Sequence, residues 1–147
     1  MNRALRAMGL SLIALLVAPG ARAADIGQIK VAKGQVTVER GGQPLPATVG
    51  MRVQDGDTVK TGSDGSVGIS MSDDSLLSAG PGSVLVLDRF AFDAATQRGR
   101  FDASLNKGTL SVVSGRIAKQ SPDAMTVRTP AAVLGVRGTE FVVSADE

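Results

Sequence analysis

The sequence contains no cysteine, histidine, tryptophan or tyrosine, and its only aromatic residues are four phenylalanines. Without cysteine or histidine there is no Ser-His-Asp triad, thiolate nucleophile, zinc finger, c-type haem attachment or disulfide. Without tryptophan and tyrosine the chain lacks the usual platforms for stacking bases or sugar rings. No apolar run reaches the roughly 20 residues of a bilayer-spanning helix. What is present, 147 residues at 43% apolar and 20% charged, suits one globular domain.

The first residues have the order of an export signal. Arg3 and Arg6 precede an apolar run from Ala7 to Ala18, and Pro19-Gly20 leads to the small-residue site Ala21-Arg22-Ala23. This order predicts a signal peptide over residues 1–23, cleaved after Ala23, with no lipoprotein cysteine to follow and no stable membrane anchor left. Removing it takes away three arginines and no acid, which leaves 13 basic and 14 acidic side chains, a net charge of −1. The precursor's pI of about 9.4 is therefore no sign of a nucleic-acid partner, which wants clustered cations interleaved with aromatics.

Residues 24–147 are expected to form one all-β domain. Glycine punctuates short apolar stretches. Ile29 and Val31, then Val36 and Val38 beyond Lys33-Gly34, predict a β-hairpin. Pro44 and Pro46 fit an edge. Thr58–Thr61 reads as a short strand, and Val67, Ile69 and Met71 alternate with small residues. The continuous run Val84–Leu87 suggests a strand covered on both faces. Phe101, Ala103 and Leu105 alternate, and Asn106-Lys107-Gly108 predicts a turn into a partner strand around Leu110 and Val112. Residues 93–98 fit a loop or one helical turn equally well. Val136–Val143 reads as the last strand. Strands this short and closely spaced predict a β-sandwich or roll; no strict repeat supports a regular solenoid, while neighbouring β-helical rungs stay open.

Catalytic patterns are absent. Asp55, Asp57, Asp64, Asp73 and Asp74 cluster in sequence, but their spacing does not match an EF-hand loop. Asp bonding to backbone N–H two residues on explains them as turn residues. Asp57 and Asp73 are two carboxylates of the kind glycosidases use, yet nothing in their spacing requires a pair. The glycine-rich turns at 62–65 and 80–83 lack the Lys-Ser/Thr ending of a P-loop. No enzyme activity, metal or cofactor is expected.

The most distinctive segment is Thr129-Pro130-Ala131-Ala132-Val133-Leu134-Gly135-Val136-Arg137-Gly138-Thr139-Glu140-Phe141. With Gly56-Asp57-Thr58-Val59-Lys60-Thr61-Gly62 upstream and Gly108-Thr109-Leu110 between, it resembles the FecR domain, the extracytoplasmic part of iron-dicitrate-type regulators. The resemblance covers about residues 33–144. It implies that Gly56-Asp57 is the turn before a buried strand, Thr61-Gly62 the turn that ends it, and Arg137-Gly138-Thr139 the entry to the last strand. Asp57, Thr61, Arg137, Gly138 and Thr139 are accordingly the motif and candidate interaction residues. Arg137 has two readings: its guanidinium locks a neighbouring loop through Asp57 or backbone carbonyls, or it faces a partner.

Full-length regulators of this family add a segment that binds an extracytoplasmic-function sigma factor, a transmembrane helix and a C-terminal signalling domain. Here about six residues precede the apolar run and four follow Val143, so neither anti-sigma activity nor a transporter-binding domain is expected. The resemblance implies a periplasmic, non-enzymatic binding or sensor-adaptor module whose partner is an envelope or inner-membrane protein, met through a sheet face or edge. The rival reading is a cell-envelope glycan (peptidoglycan) binder or a structural envelope component.

Overall fold

In the computed structural model, residues 24–136 and 140–146 are described. The expected all-β class is found: twelve strands form one sheet curled as a half-barrel. The strands are β1 (Asp25–Lys33), β2 (Val36–Arg40), β3 (Gln43–Pro46), β4 (Arg52–Gln54), β5 (Thr58–Thr61) and β6 (Ser66–Met71). There follow β7 (Leu76–Ala79), β8 (Val84–Asp93), β9 (Arg98–Val113), β10 (Met125–Arg128), β11 (Val133–Gly135) and β12 (Glu140–Ala145). A five-residue helix, α1 (Arg116–Gln120), and a 3-10 turn at Pro122–Ala124 separate β9 from β10. Every ladder is antiparallel except β9–β10, which is parallel.

The long strand β9 divides the sheet into two wings. Residues 98–107 pair with β8 and residues 101–104 with β10, within a wing ordered β3-β2-β5-β8-β9-β10-β11. Residues 110–113 pair with β7 and residues 108–113 with β12, within a wing ordered β4-β1-β6-β7-β9-β12. We call the wing ending in β12 the first wing and the other the second. Their inner faces share one apolar core that includes Ile29, Ile69, Leu77, Val112 and Val143 from the first, and Val38, Val59, Leu85, Phe101 and Val127 from the second. Phe90 and Phe101 meet edge to face at 5.1 Å within it.

Three local expectations are corrected by this arrangement. First, β1 and β2 do not form a hairpin: β1 pairs with β4 and β6, and β2 with β3 and β5. Gly34, at φ +62°, lies so close to the β5–β6 connection that a Cβ would sit 2.4 Å from the Asp64 carbonyl oxygen. That contact turns the chain round a corner into the other wing instead of back on itself.

Second, Asn106-Lys107-Gly108 does not end a strand. The chain runs on, but its buried positions change from Phe101, Ala103 and Leu105 to Leu110 and Val112. Gly108, at φ +91°, makes this change of face with its Cα against Ser83, where a Cβ would lie 2.2 Å from the hydroxyl oxygen. Third, the apolar run Val84–Leu87 is covered on one face, since Leu85 and Leu87 are buried while Val84 and Val86 are half-buried on the outside.

The remaining readings hold with adjusted bounds. β3, with its two prolines, is an edge strand. Residues 94–97 make the β8–β9 turn, where the Asp93 carboxylate accepts from Ala95 N at 2.9 Å. Among the described residues the last strand is Glu140–Ala145, and Val133–Gly135 forms the separate strand β11 in the opposite wing. The predicted signal segment, residues 1–23, lies outside the described residues.

Candidate functional site

The two upstream motif residues are structural pins. Asp57 ends the β4–β5 corner, which is laced to β8 by Gly56 N to Leu87 O at 2.7 Å and Leu87 N to Asp57 O at 2.9 Å. Its carboxylate is 1% exposed. Arg40 donates to it through Nε at 2.9 Å and Nη2 at 2.8 Å, and Gln54 N donates at 2.8 Å. The Asp57 hydrogen bond, opposed by desolvation, raises the Arg40 pKa above its ordinary value. Arg40 also donates to Arg52 O, tying β2 to β4 across the wings. Nothing in the spacing of the sequence singled out Arg40, because the pair meets only once the corner has closed.

Thr61 is similarly engaged. Its hydroxyl donates to Gly80 O at 2.6 Å and accepts from Ser83 N at 2.8 Å. Ser83 in turn accepts from Thr109 N at 3.1 Å and donates to Thr109 O at 3.2 Å. With Gly62 N to Gln35 O at 2.8 Å and Gly82 N to Gly62 O at 3.0 Å, these bonds tie the passages between the wings at Gln35, Gly62, Gly80–Ser83 and Thr109 into one seam. Glycine-rich turns that look like phosphate loops in sequence are here the inner corners of a folded sheet.

Arg137, Gly138 and Thr139 lie outside the described residues. Asp73, the other carboxylate singled out, is fully buried at the β6–β7 turn. It accepts from Ser75 N at 3.1 Å, Ser75 Oγ at 2.9 Å and Ile117 N at 3.2 Å. Ser75 Oγ also accepts from Gly115 N at 3.0 Å, so the turn is knotted to the start of α1. Asp57 and Asp73 thus serve different corners, and neither carboxylate reaches solvent. The expected bond to an N–H two residues on is made by Asp73, whereas Asp55 and Asp64 accept from distant strands, from Phe90 N at 2.6 Å and Gln35 N at 3.3 Å.

The accessible chemistry is on the outer faces of the wings, and the two differ. The second wing is ion-paired: Lys60 meets Glu39 at 2.8 Å and Arg100 meets Asp102 at 2.9 Å. Thr126 donates to Asp102 at 2.5 Å across β9–β10, and Ser104 donates to Asp88. Burial raises the Asp102 pKa, but the hydrogen bonds from Thr126 and Arg100, with the charges of Arg100 and Arg128, outweigh it and hold the group below its ordinary value.

On the first wing, the outward residues from β6 to β12 are Ser66, Gly68 and Ser70, then Leu76 and Ser78, then Thr109, Ser111 and Val113, then Glu140, Val142 and Ser144. Glu140 is the one charged side chain among them. The register sets Leu76 beside Val113, and Ser78 beside Ser111 beside Val142. Leu76 at 47%, Val113 at 37% and Val142 at 69% exposure therefore share one patch, rimmed by hydroxyls and by Glu140 beside Val113. Composition gave no signal for it, because strand alternation marks these positions as outward without revealing that three strands bring their apolar members together.

Among the described residues no group of three or more Asp or Glu side chains is placed to hold a metal ion, and no helix is long and apolar enough to cross a membrane. The protein-family model described as FecR protein matches residues 57–147, from the buried Asp57 through β12. No curated protein and no solved structure matches the chain.

Proposed function

Because the chain belongs to the FecR family, a family of signalling regulators, we propose that it is a non-enzymatic sensor-adaptor of the cell envelope that works by protein–protein contact. Its place of action is the periplasm, reached through the export signal over residues 1–23 and cleavage after Ala23, with residues 24–147 as the working domain. The partner is an envelope or inner-membrane protein.

The observation that carries this reading is the contrast between the ion-paired outer face of the second wing and the outer side of β7, β9 and β12 in the first. An ion-paired outer face, like that of the second wing, is well solvated and costs energy to dehydrate. The first-wing patch of Leu76, Val113 and Val142 has one charge beside it and hydroxyls around it. It shares with an interface core the depletion of charge, and its three apolar side chains are the exposed area that contact would bury. Loss of their hydration on contact is the driving term, and the surrounding serines add directional hydrogen bonds at little conformational cost. Asp57 and Thr61 contribute by holding the corners between the wings, on which the first wing rests.

The test is affinity capture from detergent-solubilised envelope with the purified, exported protein as bait and a parallel sedimentation with intact peptidoglycan. Capture of a membrane protein that is lost from a Val113→Ser bait supports the adaptor role. Sedimentation with peptidoglycan and no protein partner replaces it with the glycan-binding reading.

A further inference from the structure

We infer that β12 is a self-pairing edge through which two copies of this chain join their first wings into one continuous sheet. The inference stands apart from the adaptor role, since it concerns what covers the strand edge and not what covers the outer face.

The half-barrel has two ends in each wing, and the four edge strands are not alike. β3 is Gln43-Pro44-Leu45-Pro46, whose prolines withhold two N–H donors. β4 and β11 are three residues each. Prolines and short length are the usual means by which sheets keep their edges from pairing. β12 has neither: Glu140-Phe141-Val142-Val143-Ser144-Ala145 is six residues long, contains no proline or lysine, and has the strand formers Phe141, Val142 and Val143 at its centre.

The backbone shows which residues face outward. Gly80 N donates to Thr109 O at 3.1 Å, so the polar groups of Thr109 point toward β7. In an antiparallel sheet these directions alternate along the strand, so those of Gly108, Leu110 and Val112 point toward β12. Their register partners Ala145, Val143 and Phe141 face β9. Glu140, Val142 and Ser144 therefore turn their N–H and C=O groups to the open side.

A second copy satisfies this row without conflict. With a two-fold axis through Val142, that residue meets its own counterpart as a hydrogen-bonded pair, and Glu140 meets Ser144 of the second copy on either side. No like charges stand opposite one another. The two Glu140 residues are offset by four positions, about 14 Å along the strands, beyond the Debye length of about 8–10 Å at physiological salt. On the outer face the two Val142 side chains form a β-branched cross-strand pair. They join the Leu76 and Val113 patch of each copy into one strip. The contact is isologous and closes on itself, so it stops at a dimer. A six-residue edge makes an interface at the small end of the range, which sets an expected Kd on the order of 1–100 μM.

The experiment is sedimentation of the exported full chain from about 1 to 300 μM, a span that brackets that Kd, with hydrogen exchange of the β12 amides at both ends. The expected result is a rise from one to two chain masses, with slowed exchange at Val142 and Ser144 in the concentrated sample. Val142→Pro, which gives β12 the guard that β3 has, abolishes the rise. Val142→Lys does the same by placing like charges opposite each other while keeping the N–H, and it decides the matter if the proline variant fails to fold. A single chain mass across the whole range overturns the inference, and so does a dimer that Val142→Lys leaves unchanged.

Discussion

Replacing Thr61 with valine keeps the shape of the side chain and deletes its hydroxyl, so it separates a structural pin from a recognition residue. The Oγ1 atom donates to Gly80 O and accepts from Ser83 N at the crossing between the wings. Thr61 is 8% exposed and Ser83 is 1% exposed, which leaves little room for water to replace the lost partner. Stranding the buried Ser83 N–H costs about 1–3 kcal/mol and the half-buried Gly80 carbonyl about 1 kcal/mol, for an expected loss of about 2–4 kcal/mol. Thr61→Ser retains both bonds and gives up one methyl, about 1 kcal/mol. For a domain of this size 1 kcal/mol moves Tm by about 4 °C. Thermal unfolding should therefore show Thr61→Val about 8–16 °C below the parent and Thr61→Ser only about 4 °C below. At temperatures where both variants are folded, each should bind the captured partner with the parent's affinity. Equal Tm losses for the two variants, or lost binding by folded Thr61→Val, would refute the assignment of Thr61 to the seam.

The Arg40–Asp57 pair and the Asp102 cluster give further tests. Arg40→Ala leaves the Asp57 carboxylate buried and held by Gln54 N; since Arg40 is itself a third exposed, the expected cost is about 2–3 kcal/mol, below the range for fully buried pairs. Urea unfolding checks it, and a loss under about 0.5 kcal/mol would mean that water replaces the guanidinium. The lowered pKa of Asp102 gives stability that is present above its ordinary value of 3.8 and is lost as pH falls through the folded-state value. Asp102→Asn should accordingly lie below the parent in Tm at pH 7 and converge on it as pH falls below about 4. A gap that is constant down to pH 2 would contradict this sign.

How much of this was legible in the sequence depends on how local the determining contact is. Strand alternation at Val67, Ile69 and Met71 and at Phe101, Ala103 and Leu105 marked buried positions correctly, because sidedness is set every second residue. The prolines of β3 marked an edge for the same local reason. The corners were misread where the deciding contact is distant. Gly34 resembles a hairpin turn until Asp64 is packed against it, and Gly108 resembles a turn until Ser83 fills the space a side chain would need. The parallel pairing of β9 with β10 has no local signature at all. The motif that identified the family was visible as a string of glycine, aspartate and threonine, but the roles of Asp57 and Thr61 were not. Their partners Arg40, Gly80 and Ser83 lie 17 to 22 residues away in the chain.

The central claim is that the apolar patch on the outer side of β7, β9 and β12 is the contact surface, and comparing paired face variants against the captured partner tests it most directly. Leu76→Ser with Val113→Ser removes apolar area from the first wing, and Glu39→Gln with Lys60→Gln discharges the second; all four positions are exposed or half-buried, so each pair should change stability little. The account predicts that the first pair weakens partner binding by at least about tenfold, a change of about 1.4 kcal/mol, while the second leaves it unchanged. Unchanged binding by the Leu76 and Val113 variant, with loss confined to the second wing, would contradict it.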